Sequence, residues 1–186
     1  REPVPVPKKN TYEPEFKNRA QVQRYRAETT GNVPVYSAFD EKQPVDVTAD
    51  SMQHDESGQM VTASGNVEIV QGGRILRADR VTYNLAADSV TASGNVVLSE
   101  PNGDVHFFDE VSLSNEMRDG FVKGLQTYLA DGGRFVAEEG NRKDANLITM
   151  KNAAYTPCEC DQDKEGNPSW QIRADEVVYN EEEHKI

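Results

Sequence analysis

Between residues 61 and 69, apolar and polar positions alternate without a break. Val61, Ala63, Gly65, Val67 and Ile69 alternate with Thr62, Ser64, Asn66 and Glu68, the period of two expected of a strand with one buried face. Val90, Ala92, Gly94, Val96 and Leu98 do the same against Thr91, Ser93 and Asn95. Val105, Phe107, Val111 and Leu113 share a parity interrupted by Asp109, and Phe121, Leu125 and Leu129 continue the pattern on a further strand. Turn chemistry falls between these runs at Ser57-Gly58, Gly72-Gly73, Asn102-Gly103, Asp119-Gly120 and Gly132-Gly133, where small and polar residues let the chain reverse. No stretch after residue 44 keeps a helical period. The prediction is an all-β domain over residues 45–186.

The strands repeat. VTASGNV occupies 61–67 and recurs letter for letter at 90–96, a spacing of 29. Upstream stand ADSMQHD at 49–55 and ADRVTYN at 78–84, also 29 apart, with relatives FDEVSLS from Phe108, FVKGLQTYL at 121–129 and ADEVVYN at 174–180. Matched motifs at one spacing identify a repeated supersecondary unit, here two strands and a turn. Gly65 and Gly94 fall on the apolar parity. A glycine inside a strand marks a bend, a bulge or a close approach. A sheet folded along a crease requires such positions, with Ala63 and Ala92 leaving room beside them; ordinary bulges in a sandwich are the plainer alternative.

Charge and proline divide the chain. Residues 1–44 carry 8 Lys+Arg and 6 Asp+Glu and hold most of the prolines, whereas 45–186 carry 12 basic and 26 acidic residues. The opening PVPVPKK favours extended geometry. The segment from Glu15 to Glu28 allows a short helix with Phe16, Ala20 and Tyr25 loosely grouped, but such a thin apolar face does not hold a helix alone. Residues 1–44 are therefore expected to be a flexible, proline-rich N-terminal extension. The overall net charge of −12 argues against a surface that neutralises nucleic-acid phosphates. No window approaches 18 consecutive apolar residues, the length of a membrane-spanning helix, and the opening residues hold no apolar run of a secretory signal.

The pattern of AD-x-[VM] segments followed by VTASGNV resembles the OstA-like family of lipopolysaccharide-transport proteins. The resemblance covers roughly residues 45–186. It implies a β-jellyroll, also called a β-taco, in which two stacked V-shaped antiparallel sheets enclose an apolar groove. The segment AAYTPCECD at 153–161, followed by Trp170-Gln171-Ile172 and ADEVVYN, looks like the N-terminal domain of the family's outer-membrane assembly protein. That likeness implies a piece of a longer protein that continues into a membrane β-barrel, on the periplasmic face of the outer membrane of a Gram-negative bacterium.

The resemblance also implies partners and a site. Lipid A acyl chains of lipopolysaccharide would lie along the inner parity, lined by Val61, Ala63, Val67, Ile69, Val90, Ala92, Val96, Leu98, Phe107, Val111, Leu113, Leu125 and Leu129. A periplasmic bridge protein would add a strand to the edge around Val45 and Val47, and the C-terminal end would lead to the chain's own barrel and its plugging lipoprotein. Well-known members pair two cysteines of this domain, far apart in sequence, with cysteines of the barrel. Here Cys158 and Cys160 are one residue apart, and a bridge between them would close a small, strained ring. Partners outside the segment are expected in an oxidising periplasm, with two free thiols in a loop as the alternative.

Catalytic and metal signatures do not form. His54, His106 and His184 make neither HxH nor HExxH. Asp161, Asp163, Glu165 and Gly166 resemble the start of a calcium loop, but position twelve is Ile172 rather than a bidentate glutamate. Asn167-Pro168-Ser169 fails as a glycosylation site because of its proline. No enzyme activity, cofactor or metal is expected. The competing readings are a free-standing periplasmic lipopolysaccharide bridge of the same fold, a β-solenoid carbohydrate-processing enzyme, and a surface repeat that binds nothing. The enzyme would need carboxylates on the inward parity, which is instead largely Val, Ala, Leu and Phe.

Overall fold

The structure, a computed structural model, describes residues 19–29, 44–57, 59–114, 119–144, 147–157 and 171–180. Ten strands follow one helix: α1 (Arg19–Thr29), β1 (Asp46–Thr48), β2 (Ser51–Asp55), β3 (Met60–Gln71), β4 (Arg74–Asn84), β5 (Ser89–Ser99), β6 (Val105–Ser114), β7 (Asp119–Tyr128), β8 (Arg134–Lys143), β9 (Leu147–Thr156) and β10 (Ile172–Asn180). All pairings are antiparallel, and from β3 onward each strand pairs with the next in sequence. β1 and β2 both pair with β3, one on either side of Ala49-Asp50. The ten strands thus form one continuous sheet. Asp119-Gly120, expected as a turn, instead opens β7 opposite Leu113 and Ser114. The Leu85–Asp88 turn between β4 and β5 carries no glycine; there the Asn84 side-chain oxygen accepts from the Ala87 N–H at 3.0 Å, an Asx turn in place of a glycine turn.

A line of irregularities crosses the sheet near the middle of its strands. Ser64 pairs with Arg80 and Val67 with Ala78, so Gly65 and Asn66 lie opposite Asp79 alone. Gly94 and Asn95 lie opposite Asp109 in the same way. Two residues against one is a β-bulge, which bends the strand that carries it. All four bulged residues have positive φ, 78° and 45° at Gly65 and Asn66, 75° and 47° at Gly94 and Asn95, a region that glycine and asparagine enter most easily.

The repeated motifs meet at these bulges. The Asp50 carboxylate accepts from Asn66 Nδ2 at 2.9 Å, and Asp79 accepts from Asn95 Nδ2 at 2.9 Å. Asp50 also donates its backbone N–H to the Gly65 carbonyl at 2.8 Å. Later strands vary the theme: Asn152 donates to Glu138, and the Asp109 side chain packs against Gly124. Asp50 and Asp79 thus clasp the bulges of the strands that follow them, while Asp109 and Glu138 meet the positive-φ residues Gly124 and Asn152 of theirs. The AD and GN pairs of the repeat are the two halves of that clasp.

On either side of the crease the sheet divides into two arms whose apolar side chains meet on one face. Ala63, Val67, Ala78, Val81, Ala92 and Val96 form a buried cluster there, with Ala49, Ile69, Leu76, Val90, Phe108 and Val111 against it. The opposite face of the first arm is polar, with hydroxyl pairs at Thr62–Thr82 and Thr91–Ser112.

On the second arm the opposite face is apolar too, because α1 covers it. Val22, Val97, Val105, Phe107 and Tyr128 make a second buried cluster, joined by Tyr25. Tyr25 and Tyr128 each pack edge-on against the Phe107 ring at 5.7 Å between centroids, a favoured geometry for aromatic pairs. Arg26 Nε donates to the Gly103 carbonyl at 2.9 Å, and its Nη2 donates to the Leu129 carbonyl. The helix thus ties the β5–β6 turn to the β7–β8 turn.

The flexible-extension expectation is corrected for residues 19–29, while the rest of 1–43 lies outside the described residues. A helix too weak to stand alone is held by docking on a prepared apolar patch, as most helices in proteins are. Replacing Val22 with alanine is expected to cost about 2 kcal/mol of domain stability. Val22→Asp should release α1, seen as lost amide-exchange protection in α1 while the amides of β3 and β4 keep theirs.

Candidate functional site

The site is the face on which the two arms converge. Successive pairings draw its rows across the sheet. On the first arm, one row runs Ala63, Val81, Ala92, Val111, Val122, Gly140, Met150 and Val177. On the second arm, another runs Ile69, Leu76, Leu98, His106, Thr127, Phe135, Tyr155 and Ile172. Val61, Tyr83, Val90 and Leu113 form a further row towards the end of the first arm. Burial falls off away from the crease. Val67 and Val96 are 1% exposed, Ile69, Leu76 and Leu98 are half-buried, and Tyr83 is 40% exposed. The inner face is therefore closed at the crease and more exposed towards the ends of the arms.

The register sets on this face Val61, Ala63, Val67 and Ile69 of β3, Val90, Ala92, Val96 and Leu98 of β5, Val111 and Leu113 of β6, and Leu125 of β7. Leu129 lies beyond the last rung, in the turn whose carbonyl α1 holds. Phe107 is a correction. It pairs with Val97 and packs beneath α1, on the opposite face. Its neighbour Phe108 pairs with Val96 and joins the inner cluster. The physical reason is the crease: between Val111 and Phe108 the strand places only Asp109 and Glu110, both exposed, so its parity flips. β4 flips likewise between Val81 and Ala78, across exposed Asp79 and Arg80. Val122, Phe108, Phe135, Ala137 and Met150 are inner-face positions that the parity of single strands does not reveal.

Val45 and Val47 are 51% and 40% exposed at the β1 edge, and among the described residues nothing pairs with the far side of that strand. Cys158, Cys160, the Asp161–Gly166 segment and His184 lie outside the described residues. No described helix is long and apolar enough to cross a membrane.

The family described as "LptA/(LptD N-terminal domain) LPS transport protein" matches residues 46–185. The chain belongs to this family. Proteins named "LPS-assembly protein LptD" resemble it over part of its length. The one from Burkholderia thailandensis is 32% identical over 124 residues, 66% of this chain and 15% of that protein. The one from Acinetobacter baylyi is 30% identical over 138 residues, 73% of this chain and 16% of that protein. The chain thus spans about a sixth of the length of these LptD relatives. The crystal structure of LptH from Pseudomonas aeruginosa, "the LptA homologous periplasmic component of the conserved lipopolysaccharide transport device", shares the fold. It superposes with a TM-score of 0.51 at 18% identity, covering 74% of this chain and 98% of that one. The LptA/LptD-type β-jellyroll is therefore the architecture of this chain, and its two layers are the two arms of one creased sheet.

Two polar residues interrupt the second-arm row. His106 and Thr127 face each other across β6 and β7, His106 Nδ1 lying 2.9 Å from Thr127 Oγ1. The imidazole stacks on the inner-face Phe108 ring at 6.3 Å. Burial pushes the His106 pKa below its ordinary value of 6.5, against a weaker upward pull from Asp104. The folded state thus favours neutral imidazole. The unfolded chain takes up the proton first as pH falls, so this part of the stability is complete above about pH 6.5 and erodes below it. Urea denaturation between pH 7.5 and pH 5.5 should show stability decreasing, with a shallower decrease in His106→Phe.

Proposed function

We propose that this chain is a periplasmic conduit domain of lipopolysaccharide assembly at the outer membrane. It shelters lipid A acyl chains in the trough between its arms and passes them towards a C-terminal membrane β-barrel. The observation that carries this reading is the pair of rows that successive pairings draw from β3 to β10, apolar except at Gly140 in one and His106 and Thr127 in the other. Neighbouring strands lie about 4.8 Å apart, so such rows extend over several lipid widths, a track rather than a pocket for one molecule. Each methylene sheltered there gains roughly 0.8 kcal/mol. A multi-chain lipid therefore moves along the face far more easily than it leaves for water.

Charge sets the lipid's orientation. The acidic excess of residues 45–186 repels anionic phosphates, so the sugar-phosphate head stays at the open seam while the chains enter. The trough is a passive slide; the driving force comes from elsewhere in the transport pathway. The uncovered β1 edge, where backbone groups template another strand, suits addition of a periplasmic bridge protein at Val45 and Val47. The β10 edge at the other end leads towards the barrel, with its plugging lipoprotein. Cys158 and Cys160 remain candidates for disulfides with residues outside this segment.

A photocrosslinking residue placed in whole cells at Leu76 should capture lipopolysaccharide, and one at Arg80, outside the crease, should not. Equal capture from both positions would overturn the reading. A free-standing bridge protein of the same fold is the second reading, favoured by the near-complete coverage of LptH. The mass of the intact gene product separates the two, because an assembly protein is several times longer.

A further inference from the structure

The His106–Thr127 pair stands where an apolar row would be expected to continue. Its row neighbours are Leu98 on one side and Phe135 on the other, and along β6 it stacks on Phe108. A polar pair on such a face costs free energy unless its hydrogen-bonding groups are satisfied. The contact between Nδ1 and Oγ1 uses one ring nitrogen. An imidazole has two and a hydroxyl has both a donor and acceptor sites, so the pair keeps capacity to bond to something else.

Its position is graded. Two residues along a strand span about 6.7 Å. Phe108, one such step towards the crease, belongs to the inner apolar cluster. Asp104, one step the other way, is at the end of the arm, where its carboxylate accepts from the Ala130 N–H at 2.7 Å and from Asn102 Nδ2 at 2.9 Å. From crease to lip the wall thus runs apolar, neutral polar, acidic. An amphiphile with its tail at the crease and its head in solvent would place at His106 the part of the chain nearest the head.

We infer that His106 and Thr127 form a hydrogen-bonding station for a hydroxyl carried on an acyl chain close to its head, and that this station sets the depth to which the chain enters the trough. The inference deepens the conduit reading and rests on it. A hydroxyl fits either arrangement of the pair. When Thr127 donates to Nδ1, the other ring nitrogen carries a hydrogen and donates to the ligand; when Nδ1 donates to Thr127, that nitrogen accepts instead. A carboxylate so close to Asp104 would be repelled, which directs the station to a neutral oxygen. His106 and Thr127 are positioning residues in this scheme, and the apolar rows supply the affinity.

The test compares methyl tetradecanoate with methyl 3-hydroxytetradecanoate by competition against a fluorescent fatty acid on the full chain. The wild type is expected to prefer the hydroxylated ester about five-fold, the worth of one net hydrogen bond. His106→Phe should bring the ratio to about one, and His106→Gln should keep part of the preference. Thr127→Val, isosteric and apolar, gives the same reading if His106→Phe does not fold. A wild-type ratio near one, or a ratio unchanged in His106→Phe and Thr127→Val, overturns the station and leaves the conduit standing. Failure of the wild type to bind either ester overturns both.

Discussion

A Leu98→Arg chain is expected to fold and to lose at least ten-fold of its lipopolysaccharide crosslinking from Leu76. Leu98 pairs with Leu76 on one side and His106 on the other, on the half-exposed row of the second arm. An arginine there can extend its guanidinium towards solvent while its stem still covers the row, so the cost to stability stays near 1–2 kcal/mol. A lipid chain has no such escape. To occupy the row it must strip water from the guanidinium, at several kcal/mol, against roughly 0.8 kcal/mol for each methylene it shelters. Thr62→Arg, on the polar outer face opposite Thr82, is the control and should crosslink as the wild type does. Unchanged crosslinking in Leu98→Arg would show that acyl chains do not travel along this row.

The largest loss of stability is expected from Gly94→Val, about 3 kcal/mol. Gly94 sits at φ 75°, where a β-branched residue is strained by roughly 1–2 kcal/mol. Its added Cβ would stand 2.9 Å from the Asp79 Cβ, closer than real side-chain atoms approach. Moving Asp79 aside breaks its hydrogen bond to Asn95, worth about 1 kcal/mol. Asp79→Ala in the same chain should recover the steric part and leave the backbone part, so the two changes will not add. Urea midpoints of the four chains of this cycle measure both contributions. A loss under 1 kcal/mol in Gly94→Val would mean that the crease tolerates ordinary residues.

The repeat made the strands, their bends and most of the inner face legible in the sequence. In β3 and β5 the bulge adds one residue, three stand between the flanking inner positions, and the period of two survives the crease. In β4 and β6 only two stand between them, and counting parity through Asp109 put Phe107 on the wrong face. The sequence held a signal for this in its adjacent apolar pairs. Val96-Val97 and Phe107-Phe108 pair with each other across β5 and β6, which requires both faces of the sheet to be buried at that point. One face is where the two arms converge and the other lies under α1. The helix was hard to anticipate because its stabilising contacts, Val22 and Tyr25 on Phe107 and Arg26 on two distant turns, span about 80 to 100 positions of chain. The His106–Thr127 pair was similarly hidden, since neither residue is unusual until the register sets them side by side.

The clasp at each bulge involves only neighbouring strands, so it acts like the pin of a folding rule. One more 29-residue copy, inserted in frame at a hairpin, would bring its own pin and add two rungs to the molecule without altering the crease of the others. Chains built on this repeat can therefore differ in length by whole hairpins while the local geometry at each pin stays the same.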